Sequence, residues 1–380
     1  MRAEPHPQVR ITGTGACLPE RVISNPVLEK LVHGYDPVRS GDFGTWVDQV
    51  THIHERRFAD FKTRSCDLAL PAAREALAEA GIGPRDVGLI VYASFTMSQN
   101  IPGDHCMLAE DLGAAETPVF HLAAACAGSL YGLGLAYGMI ASGVYKHVLV
   151  IGTETASKAL NFHDPLTSII FGDGAGAAVV SRQDGPPGTG MLAPYLTFKY
   201  SPRNIKLGNS NVPVDVARFP DREIQPGIPV VEQALVEMEG GPSVLRQAVL
   251  QMAACVAKCL GCDEKDLKRP DSELMRRVSQ ARIIPHQANG RILDGMAEKL
   301  GVPAERVTRT IYRYGNTSAA SNLIALDFAR KHGNLVRRLD AEGKVLSIDA
   351  QPDEKIRPGE LVLLPSIGGG YLMGCIGYVA

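Results

Sequence analysis

The chain has 380 residues, 45% hydrophobic and 21% charged, with a formal net charge of −2. This is ordinary globular composition, long enough for two core-bearing halves, and the charge balance argues against a nucleic-acid binder. No apolar run approaches a membrane span, the first ten residues are polar rather than signal-like, and eight cysteines without secretory context suggest reduced thiols in a cytoplasm.

Taken in order, residues 9–15 (VRITGTG) alternate and predict a first strand, while 25–32 and 43–50 predict short helices. Residues 67–80 are Ala/Leu-rich with helical spacing and stop at Gly81, a glycine C-cap. Residues 87–94 (VGLIVYAS) form a continuous apolar run, a strand covered on both faces. A helix over 102–112 leads to a short apolar run, 118–122, read as a buried strand, and then to a buried helix over 129–141. Cys126 sits at the turn between these two, at or just before the helix start. Unpaired N–H groups and the positive end of the helix dipole favour an anion there, so the spacing predicts thiolate near neutrality. Flanking alanines and Gly128 leave room for a substrate. Residues 147–152 and 175–181 predict further buried strands. The Gly172-Asp173-Gly174 turn precedes a strand instead of opening a helix, so it does not read as a phosphate loop.

A Gly/Pro linker over 183–190 divides the chain into halves 1–185 and 186–380, and the second half replays the order of the first. Helices are predicted over 242–260, 289–300 and 317–331, and strands over 281–285, 307–312, 361–365 and 374–379. Strands alternating with helices make an α/β fold with a mostly parallel sheet. Three stretches stand apart. Residues 198–229 are polar and Pro-rich and unlike regular structure; 262–282 and 332–358 are charged, the latter with a hairpin expected through Pro352-Asp353, and both read as solvated surface. Cys255, Cys259 and Cys262 copy a cluster-binding spacing, but they end an amphipathic helix on which the first two share a face, so packing is the better reading. His52, His54, His105, His121 and His163 form no ligand-spaced set.

His286 ends an apolar strand, and Asn316 lies in a Gly-turn rich in small polar residues that opens a helix. With Cys126 they make a candidate nucleophilic constellation, each member weak alone. The local sequences AAACAG (123–128), IIFGDGAGAAVV (169–180), PHQAN (285–289), YGNTSAAS (314–321) and IGGGYLMG (367–374) together resemble 3-oxoacyl-[acyl-carrier-protein] synthase III, a thiolase-like condensing enzyme family. The resemblance runs from Ile11 to the C-terminus.

It implies a thiolase-like α/β fold of two duplicated βαβ-rich halves in α-β-α-β-α layers, with the site at their junction. It also implies that Cys126 is acylated by a thioester, with an oxyanion hole from the N–H groups of Cys126 and Gly369. His286 and Asn316 would then serve the decarboxylative condensation of a malonyl thioester. Phe171 belongs to the implied substrate-binding set. Trp46 stands where the family stacks a tryptophan on the adenine of coenzyme A, but the two accompanying arginines are replaced by Val50 and Pro165. Arg246 and Arg291 keep the basic positions that meet an acidic acyl carrier protein, and Ile101 matches the residue projected across a homodimer into the partner's acyl pocket. The expected substrates are acyl-CoA or acyl-carrier and malonyl-carrier thioesters, with no cofactor, metal, nucleic acid or membrane. Two alternatives remain at this point: a relative that joins two acyl chains or acylates O or N without decarboxylation, and an inactive partner subunit.

Overall fold

The computed structural model describes residues 4–200, 205–206, 223–225, 228–229, 236–238, 241–269, 271–341 and 344–380. Its first sheet uses β1 (Val9–Cys17), β2 (Leu89–Ala93), β3 (Val119–Leu122), β4 (His147–Glu154) and β5 (Gly174–Arg182) in the order β1-β5-β4-β2-β3. The second uses β6 (Gly190–Met191), β7 (Tyr195–Phe198), β8 (Arg282–Ile283), β11 (Leu361–Ile367) and β12 (Leu372–Val379). There β8 pairs with β11, β11 with β12, and β12 with both β6 and β7. Residue Val307 adds a single parallel bridge to Ile283. With β6 set aside and the Val307 bridge taken as the third position of the second half, ranking by chain position gives 1-5-4-2-3 twice, and the four pairings agree in sense: antiparallel, antiparallel, parallel, parallel. Each sheet is therefore mixed rather than mostly parallel. In the second sheet the reason is local: β11 and β12 are joined by a tight turn, which only antiparallel strands permit.

Between the strands lie α2 (Ser65–Ala80), α3 (Asp104–Leu112) and α4 (Gly128–Ala141) in the first half, and α5 (Gly241–Cys259), α6 (Gly290–Leu300) and α7 (Ser321–Lys331) in the second. Helix α2 covers the outer face of sheet one and carries α3; α5 covers the outer face of sheet two and carries α6. Helices α4 and α7 fill the layer between the sheets, where Leu130, Leu133, Leu323 and Leu326 share one core with Val150, Val180, Val362 and Ile376. A helix with sheet on both sides has no polar face, which explains the apolar sequence of α4. Gly152 is required where α7 begins: a Cβ there would lie 2.1 Å from the Ala319 carbonyl oxygen. Among the described residues, no helix is long and apolar enough to cross a membrane.

Several expectations fail in detail. The 118–122 run is not a buried strand: β3 is the edge of its sheet, half-exposed, with Phe120 36% accessible. Residues 307–312 are not a strand beyond the Val307 bridge. The Arg309 N–H donates to Asn334 Oδ1 and the Ile311 N–H to Gln287 Oε1, so side chains take the ladder's donors and the chain turns into a short helix, Ile311–Tyr314. The 332–358 insertion does hold a hairpin, β9 (Asn334–Leu339) with β10 (Val345–Gln351), but it reverses at 340–344, where Lys344 N–H donates to Asp340 Oδ1. Pro352–Glu354 is a helical turn beyond it. Nor is this hairpin only solvated surface. Leu335 is buried in the core, and Arg337 reaches Asp48 at 2.8 Å and lies over the Tyr312 ring at 4.8 Å. Asp48 belongs to α1 (Phe43–Thr51), so the insertion is fastened to the helix that carries Trp46. Helix Glu273–Ser279 likewise buries Leu274 and Val278 within the 262–282 segment. Cys255 and Cys259 pack in the core with Cys375. Most of 198–229 lies outside the described residues.

Candidate active site

Cys126 lies in a single 3-10 turn, Ala125–Ala127, between β3 and α4, with Ala125 in left-handed backbone (φ 46°). Its side chain is buried, 5% exposed. The sulfur accepts from Ser318 Oγ at 3.3 Å, and the N–H groups of Cys126 and Gly369 favour its thiolate. Gly369 belongs to the β11–β12 turn. That turn presses on the cysteine backbone: a Cβ on Gly368 would stand 2.9 Å from the Cys126 nitrogen and 3.0 Å from that of Ala127, a contact only glycine permits. The Ser366 hydroxyl donates to the Cys126 carbonyl, fixing the turn from the other side.

The thiol does not have the lowered pKa expected from its helix end. Burial pushes it up to about 11, and the negative charge of Glu154 adds to that, against the opposing donors Ser318, Cys126 N–H and Gly369 N–H. Desolvation of an anion outweighs a few fixed dipoles. Glu154 itself is wholly buried at the end of β4. Its carboxylate accepts from Thr96 Oγ1 at 2.6 Å, Ser94 Oγ at 3.1 Å and the Phe95 N–H at 3.1 Å, and from the Ala319 N–H; burial raises its pKa to about 8.

His286 follows β8, its N–H donating to the Pro365 carbonyl at 2.9 Å. Burial lowers its pKa to about 3, so the imidazole is neutral. Nδ1 and Ser321 Oγ are 2.5 Å apart, and that hydroxyl already accepts from the Gln287 N–H. Gln287 is a staple: its amide donates to the Pro285 and Thr308 carbonyls and accepts from Ile311 N–H. Asn316 is clamped by backbone to the 169–172 segment, its N–H donating to Ile170 O at 2.9 Å and its carbonyl accepting from Gly172 N–H at 3.0 Å. Asn316 Oδ1 accepts from the Ser318 N–H at 2.8 Å, which leaves Nδ2 as the donor for a ligand. Phe171 is buried and forms the bridge with Asn316, so it shapes this wall through its backbone.

The junction of the two halves thus gathers Cys126, Gly369 and Ser318 around one sulfur, with Asn316 tied to Ser318 and His286 tied to Ser321 on the same helix start. Ser318, Ser321 and Glu154 were not singled out from sequence. Ser318 and Ser321 lie inside the YGNTSAAS segment, and Glu154 is an acid closing an apolar strand, which is the only sequence signal it carries.

The remaining residues lie apart from this centre. Trp46 on α1 is half-buried, its ring 5.0 Å from that of Tyr35 and 5.8 Å from Phe43. Val50 packs in the same apolar cluster, and Pro165 opens the short helix Pro165–Ser168. Arg291 and Arg246 are exposed on α6 and α5, helices that meet through Gly295 and Val249. Arg291 is in the first turn of α6, capped by Asn289, whose amide also donates to the Val50 carbonyl. Ile101 is 91% exposed.

Comparison with known proteins agrees with this geometry. Residues 120–196 match the family model for 3-oxoacyl-[acyl-carrier-protein] synthase III, and residues 276–341 match the model for its C-terminal part. A beta-ketoacyl-[acyl-carrier-protein] synthase III from Rhizorhabdus wittichii is 34% identical over 96% of this chain and 97% of its own length. The solved 3-oxoacyl-[acyl-carrier-protein] synthase III of Aquifex aeolicus VF5 superposes with a TM-score of 0.71 at 30% identity, covering 98% of this chain and 100% of that one. The priming beta-ketosynthase of the R1128 polyketide pathway superposes at 0.74 with 26% identity, covering 100% and 98%. With 34% identity over nearly the whole chain, the two family models matched and a solved member superposing over 98% of it, this chain belongs to the 3-oxoacyl-[acyl-carrier-protein] synthase III family.

Proposed function

We propose that the protein takes an acyl group from a thioester onto Cys126 and joins it to a malonyl unit by decarboxylative Claisen condensation, giving a 3-oxoacyl product for fatty acid or polyketide biosynthesis. The observation that carries this is the convergence of a buried thiol, two N–H groups from Cys126 and Gly369, a neutral His286 and the amide of Asn316 at one junction. In the first step the sulfur bonds to the acyl carbonyl carbon while the two N–H groups hold the developing oxyanion. The bond to the donor sulfur breaks, and the thiol proton ends on the departing carrier thiol. In the second, malonyl thioester loses CO2, and the freed electron pair forms an enolate whose oxygen accepts from His286 and Asn316. The enolate carbon attacks the acyl carbonyl, and the C–S bond to Cys126 breaks to release the thiolate, which takes up a proton from water to return the thiol. A neutral imidazole suits this role, since it donates a hydrogen bond without adding a charge that must be desolvated.

Intact-protein mass spectrometry tests the assignment. Cys126→Ala should show no acyl adduct, whereas His286→Ala and Asn316→Ala should still be acylated but release CO2 from labelled malonyl carrier at least a hundredfold more slowly. An adduct on the Cys126→Ala protein, or decarboxylation at the native rate in the other two, would remove those residues from these roles.

The same reading makes an acyl carrier protein the preferred donor. Tyr35 lies against the indole of Trp46, and Val50 and Pro165 offer no guanidinium to stack on an adenine or bind its phosphates. We also read the molecule as a homodimer joined along β3, whose outer edge is left unpaired by the described strands, with Phe120 exposed on that strand and Ile101 exposed before α3. A nucleophilic thiol needs a reducing compartment, which supports a cytoplasmic location.

A further inference from the structure

We propose that Ser318 is a further catalytic residue: its hydroxyl donates to the Cys126 sulfur and carries part of the thiolate charge whenever that charge appears. The inference rests on the reading of Cys126 as the nucleophile. Ser318 is fully buried, and its Oγ lies 3.3 Å from Sγ. Its backbone is left-handed, φ 48°, a conformation that glycine or asparagine adopts readily and serine does not. A hydroxyl held against backbone preference at the nucleophile is an outlier that points to use.

The three groups that favour the thiolate differ in what happens to them next. In the proposed mechanism the N–H groups of Cys126 and Gly369 hold the carbonyl oxygen of an incoming thioester. Once they turn to that oxygen, Ser318 is the donor that remains on sulfur, while burial acts against the anion, joined by the charge of Glu154 only once that carboxyl ionises at about 8. After acylation the sulfur is a thioester, a poor acceptor, and the hydroxyl contributes little. It contributes again when the C–S bond breaks and the thiolate leaves. Ser318 also links the two half-reactions, because its N–H fixes Asn316 Oδ1.

Alkylation by iodoacetamide tests the proposal without any acyl donor: a C–S bond forms, iodide leaves and the thiol proton goes to solvent. Rates at Cys126, read by peptide mass so that the other cysteines do not interfere, should be measured across pH for wild type, Ser318→Ala and Ser318→Gly. The glycine variant relieves the left-handed strain and the alanine variant keeps it, so a shared effect belongs to the hydroxyl. Of the ionisable groups packed around the turn, β4 contributes Glu154 and the segment after β8 contributes His286. Both stay in place in all three proteins, so they cancel in the comparison. Loss of one charge-assisted donor should slow alkylation about tenfold near neutral pH in both variants and move the midpoint upward by about one pH unit. Acyl uptake from an acyl thioester should slow by a similar factor. Wild-type rates and an unchanged midpoint in both variants would overturn the proposal. If alkylation responds to Ser318 while wild-type protein takes up no acyl group, the condensing reading fails and the role of Ser318 toward the thiol stands.

Discussion

In the folded protein burial holds His286 neutral down to a pKa of about 3, whereas in an unfolded chain the same ring takes up a proton near 6.5. Between those values the unfolded state binds more protons, so stability is complete above the higher value and is lost as pH falls through the window. By pH 5 the loss from this ring is about 2 kcal/mol. Urea unfolding of wild type and His286→Ala at pH 7 and pH 5 measures it, and the variant should lose about that much less on acidification; parallel losses would show that His286 is not held neutral. Glu154 acts with the opposite sign, its raised pKa disfavouring the fold as pH rises from about 4.5 toward about 8, but it is common to both proteins. Residues of this kind set what was legible. Cys126, His286 and Asn316 stand in motifs whose letters are readable in one dimension. The direction of the Cys126 shift was not, because a sequence displays a helix start but not the burial that outweighs it. Ser321 and Glu154 act through partners 35 and 165 positions away, His286 and Ala319, and spacing carries no sign of such contacts.

Strand β3 is the element whose misreading matters most. Its apolar letters look like a buried strand, yet the sheet ends there, with backbone groups and Phe120 on an open edge. An aromatic side chain on an unpaired edge is a template for pairing with a second copy. Phe120→Lys should therefore weaken self-association by about tenfold or more, read by sedimentation velocity over a dilution series. A wild-type protein that sediments as a monomer, or a variant with unchanged association, would remove β3 from the interface. The other misread elements share a cause. Residues 307–312 have β-branched letters, but Asn334 and Gln287 intercept their N–H groups, and the hairpin in 334–351 turns where Asp340 caps Lys344 rather than at the nearest proline. Propensity described each segment correctly and tertiary partners decided it. The helices, set by longer periodic patterns, and the alternation of strand and helix survived almost intact.

At the scale of the molecule, a net charge of −2 is compatible with exposed arginines on two neighbouring helices, Arg246 on α5 and Arg291 on α6. Such exposed charges act mainly on encounter rate and are screened by salt. Acyl donors on a carrier protein should show a higher kcat/KM than the same acyl group on coenzyme A. Arg291→Glu should lower the carrier value by about three- to tenfold at low salt and leave the coenzyme A value nearly unchanged. Equal efficiency with both donors, insensitive to Arg291→Glu, would contradict the donor assignment. The layer shared by α4 and α7 has a different bearing. Both helices bury leucines in a core shared by the two sheets, so neither half owns a complete interior, and a chain cut between them would leave each fragment with a bare apolar surface and half a catalytic centre. The fragments should be insoluble apart and regain the thiol's surroundings only when expressed together. By the same logic, a polypeptide of half this length with this strand order could cover its inner helix only against a second copy of itself.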